Sequence, residues 1–174
     1  MSSKGIVVVG SLNLDLVVQV DKIPRVGETV LGSGFQTHPG GKGANQAAEI
    51  GCLKHPVHMI GRVGSDSFGK TLRESLENVG VDTTAVSISA GASRTAMIIV
   101  QANGNNSIVA APGANSCLTA EDLDANIDLI RNASIVLTQL ETPIPTLEHT
   151  PRISGECQNR LPTDAKSHSL RVRV

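Results

Sequence analysis

The chain reads as an α/β protein: a parallel or mixed sheet with flanking helices, accompanied by a second group of short strands. Three observations predict this. Ile6-Val7-Val8-Val9 is a continuous β-branched run ended by Gly10, as a strand buried on both faces requires. Strand-like runs then alternate with helical patterns, which argues for a parallel sheet. Other strand-like runs are short and separated by turn signals such as Asn103-Gly104-Asn105, which suggests antiparallel hairpins.

The first strand spans residues 6–10. Asn13 and Asp15 lie just past its end, among apolar Leu12, Leu14 and Leu16. In open α/β sheets, ligands bind outside the carboxyl ends of strands, so hydroxyl-binding side chains belong here; the alternative is turn chemistry, which Asn and Asp both favour. Residues 16–20 and 30–36 belong to the second group of strands. The run Gly40-Gly41-Lys42-Gly43-Ala44-Asn45-Gln46 follows. Adjacent glycines let a backbone approach a ligand closely. A helix opens over 44–50 with Gly51 as a natural stop, and its N-terminus offers unpaired N–H groups and partial positive charge. Lys42 adds a full charge, and Asn45 both a donor and an acceptor. The stretch suits a small, oxygen-rich ligand, including an anionic one. It is not a phosphate-binding P-loop, because Gln36 and Gly43 stand where that motif needs a glycine and a Ser or Thr. The dinucleotide spacing fails around Gly10, with Leu12 and Asp15 at glycine positions.

Residues 57–63 form the next strand. A helix over 67–78 places Phe68, Leu72, Leu76 and Val79 on one face and closes at Gly80. Residues 85–89, 96–101 and 107–110 join the second group of strands, the alternative being that they extend the main sheet. Thr119 caps a helix running through Arg131, with Asp122 at the capping-box position. Residues 135–137 form a further core strand that delivers Gln139 and Glu141 at its carboxyl end.

At 174 residues and 40% hydrophobic content the chain can bury one core. Phe35 and Phe68 are its only aromatics, so that core relies on Val, Ile, Leu and Ala. A net charge of −1 and the lack of any block of five like charges argue against nucleic acid. Cys52, Cys117 and Cys157 have no metal-ligand spacing, and their odd number argues against a disulfide framework. No apolar stretch is long enough for a membrane span, and Met1-Ser2-Ser3-Lys4 leads into a strand rather than a signal peptide, so the expected location is the cytoplasm. His38, His55, His58 and His149 are read as surface or packing residues rather than a metal site, and Arg94 as a solvated arginine in a turn.

Six motifs taken together resemble the ribokinase family of sugar kinases. They are Gly10-Ser11-Leu12-Asn13-Leu14-Asp15, Pro24-Arg25-Val26-Gly27-Glu28-Thr29, the run from Gly40 to Gln46, Gly61-Arg62-Val63-Gly64-Ser65-Asp66-Ser67-Phe68-Gly69, Gly113-Ala114-Asn115, and Gln139-Leu140-Glu141. They follow the family's order and spacing over residues 5 to about 148. The form Gly-Gly-Lys-Gly-Ala-Asn-Gln points to the ribokinase branch rather than the adenosine or fructose kinases. The resemblance implies a ribokinase-like fold in which the short strands, about 15–38 and 85–111, form a β lid over the sugar and pair two subunits into a homodimer. It implies a substrate site of Asn13, Asp15, Gly40, Gly41, Lys42, Gly43, Asn45 and Glu141, and transfer of the γ-phosphoryl group of ATP, with Mg2+, to the 5-hydroxyl of ribose or a related pentose. The chemistry agrees, since Asp15 and Glu141 accept from vicinal hydroxyls while Asn13 and Asn45 donate and accept.

The family's C-terminal half carries the catalytic aspartate in a Gly-Ala-Gly-Asp segment, the nucleotide pocket, and an Asn-x-x-Glu element linked to magnesium. None of these patterns occurs in this sequence. The expectation is therefore a partial kinase domain over 1–150 with no catalytic or metal residue of its own, inactive alone. Residues 151–174 read as a tail foreign to the family, disordered or derived from a shifted reading frame; Arg152, Arg160, Lys166, Arg171 and Arg173 outnumber Glu156 and Asp164 there, and apolar residues are few. Such a half-sheet would leave an apolar edge at the strand ending near Thr138. Two further readings are a non-catalytic module that binds sugar or dimerises through the lid, and an unstable product without function.

Overall fold

A computed structural model of the chain describes residues 5–154 and the backbone of 169–173. Two sheets organise it. The first has five strands in the order β5-β4-β1-β8-β9, comprising Val86–Ser89, Val57–Gly64, Ile6–Val9, Ile135–Gln139 and Ser169–Arg173. Its first four strands are parallel, and the last is antiparallel to β8. The second sheet has the order β3-β2-β6-β7, comprising Ser33–Gly40, Asn13–Val20, Arg94–Gln101 and Asn106–Ala111.

Alternation along β1 assigns its two faces. Val8 packs with Leu12, Met59, Leu72 and Leu76 beneath helices α1 (Lys42–Cys52) and α2 (Ser67–Glu77). Val7 and Val9 pack with Ile60, Leu118, Leu123, Ile130, Val136 and Ile153 on the other face. That layer is built by α3 (Ala120–Asp124), α4 (Ile127–Asn132) and α5 (Ile144–Ile153). The period-two switch between neighbouring valines is what a strand covered on both faces demands. β1 is the central strand, paired with β4 through Val9↔Ile60 and with β8 through Val9↔Thr138. Its carboxyl end therefore opens beside those of β4 and β8.

The second sheet is two antiparallel hairpin-type pairs, β2–β3 and β6–β7, joined by a parallel β2–β6 pairing, so the lid expected to be antiparallel is mixed. Much of it is exposed, including Phe35, Met97, Ile108 and Val109.

Several expectations change. Residues 85–89, expected in the lid, supply β5 of the main sheet: Gly61↔Val86 pairing is parallel, because α2 carries the chain back over the sheet from β4. The helix expected from Thr119 through Arg131 breaks in two. Its capping contact holds, with Thr119 N–H donating to Asp122 at 2.9 Å, but Asn126 Nδ2 donates to the Asp122 carbonyl and starts a new helix. Gly51 does not stop α1 but lies inside it, where a Cβ would come within 2.5 Å of the Val79 carbonyl oxygen. The edge of β8 is covered by β9, in the register Val136↔Val172, rather than left open. Residues 155–168 of the expected tail lie outside the described residues.

Candidate functional site

The turn from β1 into β2 (residues 10–13), the start of α1 and the segment after β8 meet at the carboxyl edge of the main sheet. Glycine makes this meeting possible. A Cβ on Gly43 would stand 2.7 Å from Ser11 N and 2.8 Å from Gly10 Cα. One on Gly41, whose φ is 101°, would stand 2.6 Å from the Ser11 carbonyl oxygen. One on Gly10 would meet the Gln139 side chain, which is fully buried and donates from Nε2 to Gln46 Oε1 at 2.9 Å.

The first amides of α1 are already engaged. Lys42 N–H donates to Glu141 Oε2 (3.3 Å), Gly43 N–H to Ser11 Oγ (3.5 Å) and Ala44 N–H to the Ser11 carbonyl (3.0 Å). The helix terminus expected to offer free N–H groups to a ligand thus receives the protein's own carboxylate.

Within the site, Glu141 is the most heavily contacted acceptor. Ser11 Oγ donates to its Oε2 at 2.6 Å, Lys42 Nζ lies 3.0 Å from Oε1, and Arg94 Nη2 lies 3.9 Å from Oε1. Burial works against its charge, but the hydrogen bonds from Ser11 and Lys42 outweigh it and hold the carboxyl below the usual glutamate range.

Asp15 is the opposite case. Among the described residues none donates a hydrogen bond to its carboxylate. Burial, opposed by His38 and reinforced by the Glu141 charge, lifts it above the ordinary aspartate value, while Arg94 pulls it back. It faces α1 across Gly40, whose missing Cβ would lie 3.2 Å from Asp15 Oδ2 and 4.0 Å from Asn45 Oδ1. Asn13 is buried between strands, with Gly40 as its partner on β3 and Arg94 on β6. Its Oδ1 accepts from Asn115 Nδ2 at 2.9 Å. Asn115 also accepts from Leu12 N–H and donates to the Leu12 carbonyl, clamping the turn that presents Asn13.

The structure therefore brings together all eight residues named from the sequence. Asn13, Asp15, Gly40, Gly41, Lys42, Gly43, Asn45 and Glu141 surround one junction between the two sheets. It also adds Arg94, which is not a solvated turn residue. Arg94 opens β6, its side chain is only 19% exposed, and Nη1 donates to the Glu141 carbonyl at 3.4 Å. The pattern around it, Arg94-Thr95-Ala96 leading into an apolar run, marks a strand start but not what the guanidinium reaches. Ser11, Asn115 and Gln139 stand in the motifs but had no role there.

Two histidines sit apart from the site, His58 paired with Asp82 (3.2 Å) and His149 with Asp124 (2.7 Å), whereas His38 lies opposite Asp15 on β3. Among the described residues no group of three or more His, Cys, Asp or Glu is placed to hold a metal, and no helix is long and apolar enough to cross a membrane. A separate cavity of about 340 Å³ lies beside α2, lined by Asp66, Lys70, Arg73 and Glu74. Its charges are engaged locally, through the Lys70–Glu74 and Arg73–Glu77 pairs.

Residues 3–149 match the pfkB family of carbohydrate kinases. The chain is 42% identical to a ribokinase of Bacillus subtilis over 146 residues, covering 83% of this chain and 50% of that protein. It is 37% identical to a deoxyribokinase of Salmonella typhi over 145 residues, covering 83% and 47% respectively. Among solved structures, Arabidopsis thaliana ribokinase complexed with ribose and ATP superposes with a TM-score of 0.77 at 35% identity, over 87% of this chain and 51% of that one. The chain spans about half the length of these relatives.

Proposed function

Because the chain belongs to the pfkB family of carbohydrate kinases, we propose that it forms the sugar-binding half of a ribokinase-type kinase, whose reaction passes the γ-phosphoryl group of ATP to ribose or a related pentose. The observation that carries this reading is the convergence of Asp15, Asn13, Lys42, Asn45 and Glu141 at one sheet junction, with glycines clearing the space between them. Asp15 accepts hydrogen bonds from vicinal hydroxyls, and Asn45 and Lys42 donate to sugar oxygens. A sugar lacking one hydroxyl leaves a polar group unpaired and binds more weakly. The names of the relatives, ribokinase and deoxyribokinase, support a pentose and leave the 2-position as the point of discrimination.

ATP and Mg2+ belong to the family's reaction, and the proposal gives this chain's residues no part in holding them. The sequence has no Gly-x-Gly-Asp segment, and the described residues hold no metal-ligand cluster. Phosphoryl transfer depends on an oriented nucleophile, a base and metal neutralisation. The proposal is that this chain binds and orients the sugar in the cytoplasm and does not turn it over alone. Saturation-transfer NMR with ribose, run beside a coupled ATPase assay, tests this: ribose signals transfer and no ribose-dependent ADP forms. Turnover at stoichiometric protein contradicts the second half, and absence of transfer the first.

A second reading rests on one face of the four-stranded sheet, which carries the exposed apolar side chains of Phe35, Met97 and Val109. Such a face marks an association surface, and the proposal is a homodimer through the lid. Val109→Glu then yields a smaller species by sedimentation; an unchanged sedimentation coefficient rules that face out.

A further inference from the structure

The face of the four-stranded sheet that bears Asp15 carries a second ionisable group, on the edge strand β3. β2 and β3 pair without a break from Asn13↔Gly40 to Val18↔Phe35, and His38 stands directly opposite Asp15. Opposed residues of an antiparallel pair share a face, with Cβ atoms about 4.5–5.5 Å apart. Leu14 and Leu16 alternate to the other face and pack into the core, so His38 and Asp15 share the side turned away from it. We propose that His38 is a further recognition residue of this site, an imidazole set beside Asp15 that gives its free ring nitrogen to the same sugar. The proposal rests on the sugar-binding reading above.

Three observations carry it. The row through Asp15 runs His38, Asp15, Ala96 and Ala110, so it offers a ligand only two polar side chains. The Asp15 carboxylate leans toward β3, since a Cβ on Gly40 would stand 3.2 Å from its Oδ2. His38 is exposed and its ring is half engaged: Nε2 lies 3.1 Å from Gln36 Oε1, and Nδ1 has no partner among the described residues. An amide oxygen only accepts, so Nε2 carries a proton and Nδ1 is the free position. In the neutral ring Nδ1 accepts from a sugar hydroxyl; in the charged ring it donates to one, and a hydroxyl serves in either role. Charge gives the residue a second effect. A positive ring favours the ionised form of Asp15, as Arg94 from β6 does, while Glu141 from the segment after β8 opposes it and is itself paired with Lys42 of α1. His38 therefore supports an acceptor that burial weakens, and its support grows as acid charges the ring.

The test uses the full chain and its His38→Ala and His38→Gln variants, both at an exposed position of an edge strand, in two measurements. The first follows the side-chain carboxyl carbon of Asp15 by NMR through an acid titration, without sugar. A histidine carries its proton throughout the range in which a carboxylate titrates, so losing it moves the Asp15 midpoint upward in both variants. An unmoved midpoint overturns the proposal. The second follows ribose affinity by calorimetry between neutral pH and about pH 5. At neutral pH His38→Ala binds about fivefold more weakly, as for one neutral hydrogen bond, and the amide of His38→Gln restores most of the loss. On acidification both variants lose affinity at a higher pH than the parent, because neither can charge. Equal affinities of His38→Ala and parent, or curves that fall in parallel with pH, overturn the proposal while leaving the sugar reading intact. A parent chain that binds no ribose defeats the sugar reading and this proposal together.

Discussion

Replacing Gly43 by alanine separates two physical effects that point in opposite directions. Gly43 lies in the first turn of α1 with no positive φ, so helix propensity alone makes Ala the better residue by about 1 kcal/mol. Packing opposes this. The new Cβ would sit 2.7 Å from Ser11 N and 2.8 Å from both Gly10 C and Gly10 Cα. These are backbone atoms of the turn between β1 and β2, not the ends of flexible side chains, so α1 must move away by several tenths of an ångström. Overpacking of this kind costs about 1–3 kcal/mol. The displacement also strains the bonds from Gly43 and Ala44 N–H to Ser11, worth about 1 kcal/mol each when well made. The balance is a net loss of about 2 kcal/mol, or a drop of about 1 M in the urea midpoint for a chain of this size. Gly104→Ala is the control: nothing lies within 4 Å of its Cβ, but φ is +86°, and the left-handed backbone alone costs about 1 kcal/mol. Urea unfolding followed by far-UV circular dichroism reads both. A Gly43→Ala midpoint equal to or above the parent's would show that α1 does not press on the β1–β2 turn, and would refute the close-approach reasoning.

Other outcomes follow from the same contacts. Arg62 grips Asp122 through two bonds of 2.7 Å and donates to Ser89 at 3.0 Å; Arg62→Leu strands a largely buried carboxylate and lowers stability by about 2–3 kcal/mol in denaturant melts. The Asp122 carboxyl is held below its ordinary value, with burial opposing and Arg62 prevailing. Its contribution is therefore present above the unfolded value of 3.8 and fades as pH falls through the lower native one, so parent and variant converge in strong acid and a constant gap contradicts the pairing. Lys42→Met removes the 3.0 Å partner of Glu141, and the Glu141 carboxyl then titrates at higher pH in carboxyl-carbon NMR; no movement would show that the ammonium is not engaged. Asp15 has the raised carboxyl of the site, so ribose affinity weakens on acidification at a pH above that of an ordinary aspartate, and a flat profile contradicts its use as a charged acceptor.

Much of this was legible in the chain itself, for identifiable reasons. Ile6–Val9 announces a central strand because only burial on both faces tolerates four successive apolar residues, and the glycines after it announce the close approach of α1. Leu72 and Leu76 locate the buried face of α2 through their helical spacing. What was hidden depends on contacts distant in sequence. Residues 86–89 read as a short strand either way, and only the crossover through α2 decides that they pair with β4. The helix break at Asn126 arises from one side chain capturing the Asp122 carbonyl, which no periodicity reports. The role of Arg94 is hidden for the same reason: its partner, Glu141, is 47 residues away, and a lone arginine at a strand start gives no sign of it. The start of α1 reads as an open anion site in the sequence because nothing local shows that Glu141 takes the Lys42 amide.

The most direct test of the account is a calorimetric titration of D-ribose into the chain and into its Asp15→Ala variant at neutral pH. The account predicts saturable one-to-one binding by the parent and at least tenfold weaker binding by the variant, as loss of a hydrogen bond to a charged acceptor of about 1.5–3 kcal/mol requires. Equal affinities, or no saturable heat from the parent at millimolar ribose, would contradict it.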